Sequence, residues 1–122
     1  MSTYVPPGWP AEVRPPDAPD WIATATSWLL DQCPPDYRGH PALLRHPVVL
    51  ARFAAVFVGA AKEAARRGLS SVRADLRDLV ADTAVEAAVE TWLAEEARLA
   101  GVRRSVDLVE QALRGTRFRP RL

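Results

Sequence analysis

Residues 83–114 read TAVEAAVETWLAEEARLAGVRRSVDLVEQALR, and the spacing of their apolar side chains decides the fold. Val85, Ala88, Trp92, Glu95, Leu99, Val102, Val106, Val109 and Leu113 follow one another at alternating steps of three and four. That period keeps the series on one side of an α-helix, whereas a strand would scatter it over both faces. Four heptads of it predict a long helix whose stripe must be covered by another helix. Thr83 and Glu86 stand at capping-box spacing, so the helix is expected to open there. Glu110 and Arg114, four apart in the favourable order, followed by Gly115, mark its end. Gly101 costs about 1 kcal/mol against alanine and is where a break would fall.

Upstream, Val48 to Ala61 is apolar almost all round, which predicts the central, most buried helix, with Pro47 as its first residue. Ala51, Ala55 and Gly59 repeat every four residues and form a groove for a second helix. Gly68-Leu69 reads as a C-terminal cap. Ser70 or Ser71 then caps a third helix with core positions Val72, Leu76, Leu79 and Val80. Read this way, residues 64–76 resemble the core of a helix-turn-helix: Ala64 four before a turn glycine, then Leu69-Ser70 and an apolar-spaced second helix. The resemblance implies a recognition helix, one that would carry Asp75 and Asp78 where phosphate repulsion is felt.

Nine of the 11 prolines precede residue 42. Proline removes a helical donor and clashes with the preceding turn, so an extended leader precedes a helical body. In the leader, Tyr4, Trp9 and Trp21 interleave with Pro6, Pro7, Pro10, Pro15, Pro16 and Pro19. Burying an indole is worth ~2 kcal/mol or more, so Trp9 is expected to pack on this chain or on a partner. Asp17 and Asp20 are expected to cap a first helix running to Gln32. Its buried stripe comprises Trp21, Ala25 and Trp28, with Ile22 and Leu29 beside them. His40-Pro41 opens a short helical turn. The expected fold is all-α: a small bundle of four to five helices with an extended Pro/Trp-rich N-terminal arm. Residues 1–19 form the arm, 20–115 a single helical domain and 116–122 an Arg-rich tail.

With 122 residues, 48% hydrophobic and 25% charged, the chain can build one core and no second. A single cysteine, Cys33, forbids an internal disulfide, and no basic-apolar leader opens the sequence. A cytoplasmic protein is expected, with no membrane association. Fifteen Arg against one Lys, and 21 Ala and 13 Val against one Ile, point to a bacterial genome rich in GC.

No catalytic constellation emerges. Cys33, His40 and His46 are the soft metal ligands, spread over a proline-broken loop and read as turn-shaping residues rather than a metal site. Asp78, Asp82, Glu86 and Glu90 form an acidic ridge at four-residue spacing, headed by Asp75, without a Glu-x-x-His pair or a second acidic helix. There is no glycine-rich phosphate loop and no nucleophile elbow, so no cofactor is expected.

The net charge of +1 averages over opposed blocks: −4 for residues 1–36, +4 for 37–62, +2 for 63–74, −6 for 75–96 and +5 for 98–122. An excess-cation coat is thereby excluded, while an acidic ridge and an arginine tail (Arg114, Arg117, Arg119 and Arg121, with Phe118) remain. The expected function is a non-enzymatic α-helical interaction protein, self-associating as a homodimer. The heptad stripe or the Ala51/Ala55/Gly59 groove is its expected contact, and the ridge, the tail and Trp9 are candidate partner-binding residues. The alternative is a nucleic-acid accessory factor using the tail or the degenerate helix-turn-helix.

Overall fold

The structure, a computed structural model, describes residues 4–121; Met1 to Thr3 of the arm and Leu122 of the tail lie outside the described residues. It contains α1 (Trp21–Asp31), a 3₁₀ turn (Pro35–Gly39), α2 (Pro41–Arg45), α3 (Pro47–Leu76) and α4 (Asp82–Leu113), with no strand among the described residues. The fold is all-α, as the periodicity requires.

α3 and α4, of 30 and 32 residues, dominate it. At 1.5 Å per residue they are about 45 and 48 Å long. Arg52 near the start of α3 meets Glu110 near the end of α4, and Arg73 near the end of α3 meets Glu86 near the start of α4, so the pair is an antiparallel hairpin. The α4 stripe faces α3 as its spacing dictates: Val85, Leu99, Val106 and Val109 are buried, and Ala88, Trp92, Glu95, Val102 and Leu113 half-buried. Gly101 lies on the solvent side of an unbroken helix. At the C-terminus Gly115 has φ +97°, its N–H bonds Ala112 O at 3.0 Å, and the Thr116 N–H bonds Gln111 O at 3.0 Å. Those two bonds make a Schellman cap, which needs a residue tolerant of positive φ.

Several expectations are corrected. No helix ends at Gly68: α3 runs through it to Leu76, so Ser70 and Ser71 are helix-interior and the helix-turn-helix resemblance has no structural counterpart. Gly68 serves packing instead. A Cβ there would stand 2.4 Å from Cε2 and Cζ2 of Trp92, so the glycine lets the indole lie flat against the α3 backbone. Leu79 and Val80 are not core; they sit in the connecting turn, Leu79 73% exposed. Asp78 makes that turn with φ 63°, a conformation short polar side chains tolerate. α4 starts at Asp82 behind Ala81, and Thr83 caps nothing. α1 likewise has no side-chain cap: Asp20 pairs with Arg14 at 3.4 Å, and Ile22 faces solvent.

Burial is concentrated at one end. Leu50, Ala51, Ala54, Ala55 and Val58 of α3 meet Val106, Val109 and Ala112 of α4, Ala25, Trp28, Leu29 and Leu30 of α1, Leu43 of α2 and Val13 of the arm in one core. Ala65 and Leu99 are the outlying members of that core, and beyond them the buried apolar side chains of the hairpin are Val72 and Val85.

Candidate interaction surface

The arm packs on its own chain. Trp9 donates its indole N–H to Val13 O at 2.9 Å and meets Phe118 edge-on at 6.0 Å. Arg104 donates to Pro7 O and the Ser105 hydroxyl donates to Gly8 O at 2.6 Å, which ties the arm to α4. Gly8 fits there for two reasons: its φ is +97°, and a Cβ would meet Arg104 Nε at 2.7 Å. Trp9 and Phe118 thus clasp arm and tail together. Beside them runs a groove of ≈ 470 Å³ lined by Pro16, Trp21, Thr116, Arg117, Phe118 and Arg119.

Within the tail, Arg114 is committed. With Arg52 of α3 it flanks Glu110, the one buried charged side chain among the described residues. Arg52 Nη1 reaches both Glu110 oxygens at 3.0 and 3.1 Å, and Arg114 Nη2 reaches Oε2 at 3.0 Å. Burying a carboxylate is tolerable only with such partners, and here two guanidiniums whose outer faces stay wet supply them. Arg117, Arg119 and Arg121 are exposed.

The acidic ridge lies at the opposite end. Asp78 is in the turn, Asp82 opens α4, and Glu90 is exposed. Glu86 accepts from Arg73, whose hydrogen bond holds its carboxyl below the usual carboxylate range. From Glu86 to Arg114 is 28 residues of one helix, or about 42 Å. The ridge and the tail therefore cannot pair within one chain.

Cys33 is buried in the core, where desolvation pushes its thiol up to about 11 against a smaller opposing pull from Arg38. His40 and His46 are exposed at the starts of α2 and α3. The Ala51/Ala55/Gly59 groove is filled from within: Arg103 of α4 lies across Gly59 and donates to Ala55 O at 3.3 Å. The heptad stripe is likewise spent on α3.

What sequence reasoning missed is the outer face of α3. Val49, Phe53, Val56 and Phe57 are 38%, 47%, 66% and 37% exposed, and Ala60 and Ala64 continue the same stripe. The helix that is apolar all round is buried on one side only. Tyr37 of the 3₁₀ turn walls one edge, stacking edge-on against Phe53 and Phe57 at 6.0 and 6.4 Å. The signal was present in the sequence: a chain this small has too few helices to cover a helix on every side. Among the described residues no helix is long and apolar enough to cross a membrane. Comparison with protein-family models, with curated proteins and with solved structures finds no match for this chain.

Proposed function

We propose that this chain is a non-enzymatic protein-interaction protein that works by presenting the outer face of α3 to a helix of another polypeptide. The supporting observation is the contiguous exposed row Val49, Phe53, Val56 and Phe57 on a helix whose opposite face is fully occupied. Scattered apolar residues on a surface carry no meaning, but a row of four along two and a half turns costs solubility unless a partner covers it. A row of this shape suits helix-on-helix packing, in which bulky residues at steps of three and four enter the grooves of a facing helix. Replacing Val56 by a photo-crosslinking phenylalanine analogue in the living cell tests this. Adducts with protein are expected from position 56 and none from exposed Ala100 on α4; equal yields from the two positions refute it.

A second reading rests on the tail, where Arg117, Arg119 and Arg121 are exposed beside the Trp21-lined groove. As a nucleic-acid contact it requires affinity for single strands that falls steeply with salt and vanishes when these three arginines are replaced by alanine. Salt-insensitive binding, or none at low salt, removes it.

A further inference from the structure

Resting on the docking reading above, we infer that the helix covering this stripe is α3 of a second copy of the chain, packed antiparallel about a two-fold axis near Phe57 and Val58. The stripe is complementary to itself when reversed. Its N-terminal end is bulky, with Val49 and Phe53, and its C-terminal end is small, with Ala60 and Ala64. Reversing one copy about the midpoint between residues 57 and 58 sets each Phe53 level with the gap between the other copy's Ala60 and Ala64, at 1.5 Å rise per residue. Val56 and Phe57 then meet their counterparts at the axis.

Charge agrees with shape. Arg52 and Glu63 are eleven residues apart on α3, three turns to within about 20°, so both edge the stripe on the same side. A two-fold axis perpendicular to the paired helices keeps that side and reverses the direction, which brings Arg52 of each copy level with Glu63 of the other. Both side chains are about half exposed, at 48% and 53%. Arg52 engages Glu110 through Nη1. Glu63 touches Arg66 and Arg67 only at 3.9 and 3.8 Å, beyond hydrogen-bond length. A parallel two-fold pairing would set Phe53 level with Phe53 and Ala60 level with Ala60, and would put Arg52 and Glu63 of the two copies on opposite edges of the seam, so the size match and the ion pair both form only in the reversed one. Two-fold pairs are self-complementary by construction, and a stripe matched to its own reverse fits another copy before it fits an unrelated helix.

Eight side chains per copy place this interface near the low end of specific ones, on the order of 1,200 Å² in total, so micromolar dissociation is expected. Sedimentation equilibrium of the full chain from about 1 to 200 µM brackets that range. Dimer is expected for the unaltered chain, monomer with native circular dichroism for Val56→Glu, and at least tenfold weaker association for Glu63→Arg. A spin label at Ser70→Cys fixes the direction, since buried Cys33 leaves the introduced thiol as the reactive one. Antiparallel pairing puts the two labels about 39 Å apart and moves them about 12 Å further on shifting the label to Ala74→Cys. Label separations near 10–15 Å at both positions overturn the antiparallel register. A monomer throughout the range overturns self-association, and crosslinks from position 56 to other proteins would then leave the docking reading standing. A dimer indifferent to Val56→Glu overturns α3 as the contact between copies, and the crosslinks from position 56 again decide the docking reading.

Discussion

Replacing Gly68 by alanine separates helix propensity from packing at a point where the two oppose each other. In a helix interior, alanine in place of glycine is worth about 1 kcal/mol of stabilisation. At Gly101 nothing lies within 4 Å of the new methyl group, so Gly101→Ala should show the full gain. At Gly68 the methyl carbon would lie 2.4 Å from two indole carbons and 2.9 Å from a third. An ordinary carbon–carbon contact needs about 3.5–4.0 Å, so the ring must retreat by more than 1 Å or turn out of its seat. Trp92 is the largest side chain joining the far half of α4 to α3, and overpacking of this kind costs about 1–3 kcal/mol. The propensity gain is then cancelled or exceeded, leaving a net loss of about 0–2 kcal/mol for Gly68→Ala. Thermal unfolding by circular dichroism reads the contrast: a rise of about 4 °C for Gly101→Ala and a fall of up to about 8 °C for Gly68→Ala. The double variant Gly68→Ala/Trp92→Leu should recover part of the loss, because the smaller side chain leaves room. If Gly68→Ala stabilises as much as Gly101→Ala, Trp92 does not lie against that backbone and the packing account of Gly68 fails.

Glu110→Ala deletes the carboxylate shared by Arg52 and Arg114; because both arginines reach water, urea unfolding should show a loss of about 2–3 kcal/mol rather than the full cost of a stranded buried charge. At the hairpin tip, Arg73 depresses the carboxyl of Glu86, so the pair stabilises the fold above the ordinary carboxylate range and loses that contribution as pH falls through the lowered value. The melting temperature of the unaltered chain should therefore exceed that of Glu86→Gln at pH 7 and converge with it in acid; a constant gap would refute the assignment. Cys33, with its thiol raised to about 11, should resist a maleimide in the folded protein at pH 7.5 and react on addition of guanidinium, whereas rapid native labelling would mean the core at α1 opens freely.

Local patterning made the all-α class and the α4 stripe legible, because a period of three and four can bury itself only on one face of a helix. The proline distribution separated arm from body, and Gly115 marked the C-terminus of α4 because a positive φ suits glycine. Gly68 was misread for the same local reason: a glycine before Leu-Ser looks like a cap until a tryptophan 24 residues away is known to need its missing Cβ. Arg52 and Glu110 are 58 residues apart, so their pairing has no local trace. The acidic ridge and arginine tail are evident as charge blocks, but only the extended hairpin shows that about 42 Å of helix keeps them apart.

Most consequential is the stretch Val48 to Ala61. By itself the sequence determined that this is a helix without a polar face, since composition and period are properties of the chain. Which of its sides is covered depends on how many other helices the same chain can bring to it, and that is a property of the packed whole. Here α4, α1 and α2 cover one side and leave Val49, Phe53, Val56 and Phe57 to water. A stripe that seemed to mark the middle of the core is, in the folded molecule, its outer wall.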